Sequence, residues 1–334
     1  MLEEKRGRWS LSGAQLGIWF AQQLDPDNPI FNTAECIEIR GPVDQTLFET
    51  AVRQAVGEAE ALHVRFGEDA DGPWQYIVPS PEWQLQVIDV SGQDDPAHAA
   101  QCWMEHDLAQ VVDLSRGPLF TEALLKLASD RYYWYQRIHH IVIDGFGVSL
   151  LLKKVAQVYT ALAGGGYSEP AAFGPFRTIL EEDTAYRMSQ QVEADRQFWL
   201  KRFADEPEVV SLGGHAQRSA RSFLRRSAQL PESALHRWQS TAQATGTSWP
   251  DVVAAAAALY VHRITGANEV VLGLPVMCRL GSASIRVPGM MMNLLPLRVF
   301  VRPVYESDGA AAAGRSRDSR HQASSTLQAS GHST

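Results

Sequence analysis

The stretch Arg131-Tyr132-Tyr133-Trp134-Tyr135-Gln136-Arg137-Ile138-His139-His140-Ile141-Val142-Ile143-Asp144-Gly145 decides how this chain is read. Its aromatic first half favours a pleated strand, and the following Val148-Ser149-Leu150-Leu151-Leu152-Lys153-Lys154-Val155-Ala156 favours a helix. Two adjacent histidines therefore fall on a strand-to-helix turn, where the backbone can expose a side chain. Imidazole titrates nearer neutrality than any other side chain, so it can take a proton from a nucleophile and return it. Successive residues at a strand end point to opposite sides, so His139 and His140 cannot both face one substrate, and one of them is structural. Asp144 and Gly145 open the helix. A carboxylate there suits the helix dipole, and a glycine lets the backbone approach a neighbouring segment closely. The plainer reading is a buried, hydrogen-bonded histidine pair beside an N-cap aspartate.

Around this stretch, helical and strand patterns alternate. Ser12-Gly13-Ala14-Gln15 has capping-box spacing and predicts a helix to about Leu24, with Leu16, Trp19, Phe20 and Gln23 in register. A strand over Ala34–Ile39 follows, then a helix from Asp44 whose Leu47, Phe48, Ala51, Val52, Ala55 and Val56 form one apolar face. Three strand-like runs lie around Leu62, Trp74 and Leu85, followed by a helix from about Ala97 to Ala109. A run from Leu119 to Leu127 turns at Ser129-Asp130 into the histidine strand. The alternation predicts an α/β or α+β fold with a mixed sheet.

Gly164-Gly165-Gly166, with Pro170 and Pro175 after it, reads as a linker. Long charged helical patterns from about Thr178 to Arg202, a strand over Ser222–Gln229, helices from Pro231 and Trp249, and strands at Glu269–Val276 and Asn293–Val301 make a second unit. From Tyr305 the composition turns to Ala, Arg, Ser, Asp, His and Gln, too poor in bulky apolar residues to offset the entropy of ordering it. Residues 304–334 are expected to be a disordered low-complexity tail.

A chain of 334 residues, 45% hydrophobic, is long enough for two domains with a sizeable core. Its net charge of -8, without a basic cluster interleaved with aromatics, argues against a nucleic-acid partner. The charged start lacks an apolar h-region, and the longest apolar run, Val252–Val261, is too short and alanine-rich to span a bilayer, so no membrane partner and a cytoplasmic location are expected. Cys36, Cys102 and Cys278 are widely separated, fitting neither a disulfide framework nor a metal site. No GxSxG nucleophile elbow and no HExxH spacing occurs.

Several separated motifs together resemble the condensation domains of nonribosomal peptide synthetases, members of the chloramphenicol acetyltransferase-like superfamily. Leu11-Ser12-Gly13-Ala14-Gln15-Leu16-Gly17-Ile18-Trp19-Phe20-Ala21-Gln22-Gln23-Leu24 is similar to the family's opening motif, and Ala61-Leu62-His63-Val64-Arg65-Phe66 to a loose copy of its second. His139-His140-Ile141-Val142-Ile143-Asp144-Gly145 matches the central HHxxxDG. Gly273-Leu274-Pro275-Val276-Met277-Cys278-Arg279 resembles the GxPVxxR segment, and Pro288-Gly289-Met290-Met291-Met292-Asn293-Leu294-Leu295-Pro296-Leu297 the asparagine-containing strand motif. Within the family, Tyr133–Arg137 and Arg279–Ala283 look most like siderophore synthetase modules of the enterobactin type.

The resemblance implies two chloramphenicol acetyltransferase-like subdomains: residues 9–170 carrying HHxxxDG, and a partial second one at 176–303, since family members continue beyond the Asn293 strand. It implies a catalytic group of His140, His139, Asp144 and Gly145. His140 would face a solvent channel and act on the amine either as base or by holding it in line, while His139 would be inward and structural. Asp144 would pair with Arg279 across the subdomain interface. Gly145 would leave room for a phosphopantetheine arm, and Asn293 would line the opposite wall or, on the plainer reading, only cap a strand end. The implied reaction is amide formation between a carrier-bound acyl thioester and a carrier-bound aminoacyl thioester, without a resident cofactor or metal. The implied partners are donor and acceptor peptidyl or aryl carrier domains and the adenylation domain of the same assembly line. Two alternatives stay open: a non-catalytic remnant that only binds a carrier protein, and an acyltransferase using a free acyl thioester. An epimerisation domain is disfavoured by the opening motif so near Met1, and a heterocyclisation domain by histidines where it would carry aspartates.

Overall fold

The computed structural model describes residues 7–79, 82–165, 171–213, 220–222 and 224–302. Their contacts fall into two compact units: residues up to Ser189 together with Met277–Met292, and Gln190–Val276 together with the strand from Asn293. The expected tail at 304–334 and the linker residues Gly166 and Pro170 lie outside the described residues.

In the first unit, β1 (Trp9–Ser10) leads into α1 (Gly13–Leu24). Ser12 caps α1 reciprocally: its hydroxyl accepts from the Gln15 N–H, and the Gln15 side chain accepts from the Ser12 N–H at 3.0 Å. After a 3-10 turn at Pro29–Phe31 come β2 (Asn32–Arg40) and α2 (Gln45–Glu58), the latter capped by Asp44, whose Oδ1 accepts from the Thr46 and Leu47 N–H groups. A 3-10 turn at Glu60–His63 opens β3 (Val64–Asp69), which is followed by β4 (Gly72–Ile77), β5 (Gln86–Asp89), α3 (Pro96–Leu108), β6 (Phe120–Ala128), β7 (Arg131–His139), α4 (Gly145–Ala163) and α5 (Arg177–Arg187).

The strands form a small sheet, β1-β4-β3, and a mixed sheet, β2-β7-β6-β5, in which only β5 and β6 run parallel. β7 is therefore paired on both sides, with Asn32 opposite His139 and Phe120 opposite Ile138. That double pairing fixes the register of the histidines, because a one-residue slip would turn every side chain to the other face. On one face Phe120, Leu124, Tyr132, Trp134 and Ile138 join the core that holds Phe48 and Val52 of α2 and Leu151 and Val155 of α4. On the other face Ala123, Leu125, Leu127 and Tyr135 pack with Ala100 of α3. Each large side chain fully buried this way contributes about 1.5–3 kcal/mol.

The second unit holds α6 (Gln191–Arg202), α7 (Glu232–Thr245), α8 (Trp249–Thr265) and the antiparallel pair β8 (Glu269–Val276) and β9 (Asn293–Phe300). α8 starts with a capping box of Ser248 and Asp251 and ends at Gly266, whose left-handed φ of 75° closes the helix. Among the described residues no helix is long and apolar enough to cross a membrane.

Four sequence expectations change. The buried face of α1 is Gln15, Ile18, Trp19 and Gln22, while Phe20 is 56% exposed; two glutamines turn inward because buried carbonyls and side chains await their amides. The helical patterns over 178–202 resolve into two helices, with a break at Met188–Gln190 that the patterns did not place. Leu62 sits in a 3-10 turn, and the strand begins at Val64. No strand forms over the described part of 222–229, where the exposed Arg225 and Arg226 have no ladder partner.

One polar pair interrupts the apolar side of the mixed sheet. Glu122 is fully buried beside its register partner Gln136, and its Oε2 accepts from the Trp134 indole N–H at 2.9 Å. Burial pushes the Glu122 carboxyl up to about 8, against the opposing pull of the Trp134 bond. The folded state then binds more protons than the unfolded chain between the ordinary carboxyl range and about pH 8, so this group's contribution to stability falls as pH rises through that window. Thermal melts from pH 5 to pH 9 should show Glu122→Gln gaining on the wild type as pH rises, and a constant difference would remove the buried acid from the account.

Candidate active site

His139 and His140 end β7 and divide as opposite-facing neighbours should. His139 is buried: its Nδ1 accepts from the Ile141 N–H at 3.3 Å, which leaves the proton on Nε2, 3.3 Å from Oε1 of Gln22. Burial, with repulsion from His140 and Arg137, holds the His139 imidazole down at about 3, so the ring is neutral. Gln22 is itself fixed, because its amide donates to the carbonyls of Asp25, Pro26 and Asn28.

His140 is half-buried. Its backbone N–H donates to Phe31 at 2.7 Å, and its Nδ1 lies 2.8 Å from the Ile143 carbonyl. A carbonyl can only accept, so the proton sits on Nδ1 and the Nε2 lone pair is left for an incoming donor. The turn from His140 to Asp144 thus sets the tautomer of its own histidine.

Asp144 caps α4: its Oδ1 accepts from the Gly147 N–H at 2.8 Å. The same carboxylate, 2% exposed, lies 3.0 Å through each oxygen from Nη2 of Arg279, and its Oδ2 also accepts from the Met291 and Met292 N–H groups at 3.0 and 3.1 Å. Arg279 is fully buried and donates further to the carbonyls of Ser284, Val287 and Gly289. The pair was expected to join two subdomains; the contacts instead group Met277–Met292 with the first unit, so both partners belong to one compact body.

The glycines also exchange roles. A Cβ on Gly145 would meet nothing within 4 Å, so no packing demands a glycine there. The close approach is made by Gly147, where a Cβ would lie 2.6 Å from Ile143 and 3.0 Å from the Gly289 backbone nitrogen. Asn293 belongs to the second unit, where it is exposed at the first position of β9 and its Oδ1 accepts from the Leu294 N–H at 2.8 Å, a strand-end contact. Among the described residues no group of three or more His, Cys, Asp or Glu could hold a metal, and no disulfide joins the three cysteines.

Gln15, Gln22, Gly147 and Gly289 went unassigned in the sequence. Gln15 exchanges amide bonds with Gln75 and reaches the Ile141 carbonyl at 3.4 Å, bracing the histidine turn from α1. Two glutamines seven residues apart on an otherwise apolar helix face are the signal that could have marked Gln15 and Gln22.

A sequence model of the condensation domain matches residues 5–316. Over 301 residues the chain is 59% identical to a dimodular nonribosomal peptide synthase of Bacillus subtilis (strain 168), covering 90% of this chain and 13% of that protein. It is 32% identical over 296 residues to enterobactin synthase component F of Escherichia coli O157:H7, covering 87% and 23%. The chain thus spans less than a quarter of these curated relatives. Among solved structures, the first condensation domain of the calcium-dependent antibiotic synthetase, in complex with a substrate analogue, superposes with a TM-score of 0.81 at 41% identity, covering 89% of this chain and 70% of that one. A starter condensation domain of rhizomide synthetase in complex with C8-CoA gives 0.77 at 39%, covering 89% and 67%.

Two outcomes follow from the geometry. Breaking the buried pair by Asp144→Ala or Arg279→Ala should each cost about 3–5 kcal/mol, and the double substitution should cost less than their sum by about 1–3 kcal/mol; a double-mutant cycle of denaturant melts with no coupling would dissolve the pair. The His139 ring titrates lower folded than unfolded, so its contribution is complete above the unfolded value near pH 6.5 and is lost as pH falls towards about 3. His139→Gln should flatten that acid-side loss in melts between pH 7 and pH 4, and an unchanged acid slope would mean that the ring is not held neutral by burial.

Proposed function

The chain belongs to the condensation-domain family, and from that starting point we propose that it joins a carrier-bound acyl thioester to a carrier-bound aminoacyl thioester through an amide bond, with His140 at the reacting centre. The observation that carries this reading is Nδ1 of His140 held 2.8 Å from the Ile143 carbonyl, in a half-buried ring beside a buried neutral His139. The acceptor amine would donate to Nε2 as its nitrogen attacks the donor carbonyl. The new C–N bond forms, the C–S bond breaks, and the amine proton ends on the departing carrier thiol, so no acyl-enzyme is required. Asp144 and Arg279 hold the turn, and His139 anchors the strand end, without touching the substrates.

The substrates would arrive on phosphopantetheine arms of donor and acceptor carrier domains, loaded by an adenylation domain of the same assembly line. The open backbone at Gly145, where even a Cβ would touch nothing, supports an arm passing beside His140. A second reading, acyl transfer from a free acyl thioester to a carrier-bound amine, is favoured by the similarity to the rhizomide starter condensation domain complexed with C8-CoA. Offering the donor either on a carrier or as acyl-CoA, with a common aminoacyl carrier, separates the two by mass spectrometry of the acceptor.

His140→Ala should lower amide formation by roughly 10²- to 10⁴-fold while leaving the melting temperature near that of the wild type. A variant as fast as the wild type would remove His140 from the reaction. A wild type inactive with every donor, yet able to bind carrier protein, would leave the non-catalytic reading.

A further inference from the structure

We propose that Glu182 is a positioning residue for His140, acting through the Arg279–Asp144 pair; this rests on the role given to His140 above. Glu182 lies on α5, half-buried, and its carboxylate collects three donors of the facing turn. Its Oε1 accepts from the Ala283 N–H at 2.8 Å, and its Oε2 accepts from the Ser282 and Ser284 hydroxyls at 2.6 and 2.5 Å. Ser282 also caps this turn, accepting from the Ser284 N–H at 2.9 Å.

The turn matters because Arg279 depends on it. Nη1 of Arg279 has two acceptors, the carbonyl of Ser284, which Glu182 pins, and that of Val287, three residues further on. Among the described residues the Nε of this fully buried side chain has no acceptor, so its planar fork is already short of one partner and would lose two more if the turn moved. A buried guanidinium left without acceptors has to shift or hydrate. Any shift carries Asp144 with it, since Nη2 of Arg279 holds both carboxylate oxygens. Asp144 follows Ile143, whose carbonyl fixes the proton on Nδ1 of His140. Hydrogen bonds therefore lead from Glu182 through Ser284 and Arg279 to Asp144, and the peptide chain carries the link on through Ile143 to His140, all inside one compact unit.

All three groups bound to Glu182 are neutral donors, so its task is geometric. A glutamine can keep that geometry, its oxygen taking the Ala283 N–H and its amide donating to a serine oxygen. The test compares Glu182→Ala, Glu182→Gln and the double substitution Ser282→Ala with Ser284→Ala. One measurement is amide formation at varied carrier concentration; the other is the nitrogen-15 NMR of the His140 ring, which needs no activity. Glu182→Ala should lower kcat roughly tenfold to a hundredfold with KM for either carrier unchanged, and should mix the two ring tautomers of His140. Glu182→Gln should restore both. The serine double variant, which keeps the Ala283 bond, should fall between them, and it decides the matter if Glu182→Ala does not fold. Wild-type tautomer and rate in both the alanine and the serine variants would overturn the proposal, as would a loss of rate that Gln does not rescue. If no protein forms amide but the tautomer follows the Glu182 series, the positioning stands and the proposed reaction fails.

Discussion

The buried contact between Asp144 and Arg279 is the constraint on which the site depends. Desolvating a carboxylate and a guanidinium costs several kcal/mol per ion, and mutual attraction offsets it only when the remaining hydrogen-bonding capacity is used. Here it nearly is. The carboxylate accepts from Gly147, Met291 and Met292 besides the arginine, and the arginine reaches three carbonyls of the 282–289 segment. The pair therefore organises more than itself: it caps α4, closes the Met277–Met292 segment onto the first unit and ends the turn that carries His140. Such a pair is weak evidence for net stability and good evidence for a fixed geometry, because every alternative arrangement strands a buried charge.

From that geometry the two histidines take separate parts without needing different chemistry. Both are imidazoles on consecutive residues, yet one is locked with its proton on Nε2 against Gln22 and the other with its proton on Nδ1 against Ile143. Burial keeps the first neutral, and the second is only half-buried, its Nδ1 taken up by the Ile143 carbonyl. Proton handling at a reacting amine needs just such a nitrogen, held by the backbone rather than by a second acid.

Much of this was legible in the sequence, for identifiable reasons. The histidine strand, its hairpin partner and α2 read correctly because period-two and period-3.6 patterns there coincide with burial, and Ser12 and Asp44 mark true helix starts. The 3-10 turn at Leu62 and the break between α5 and α6 were not legible, since apolar spacing is nearly the same on either side of them. The inward glutamines of α1 escaped because a polar residue counts against a core face until its buried partners are known. Gly147 escaped for a similar reason: a close approach belongs to two segments, and Gly289 is far away in sequence. The membership of Arg279 in the first unit is likewise a fact of tertiary contact that no linear spacing encodes.

The central claim is that the turn after β7 presents His140 as the Nδ1-protonated tautomer with Nε2 free, next to a neutral His139 of the opposite tautomer. Nitrogen-15 NMR of the histidine rings in the wild-type protein at neutral pH reads this directly. The account predicts a proton on Nδ1 of His140 and a neutral His139 with its proton on Nε2. A His140 ring protonated on Nε2 would contradict it.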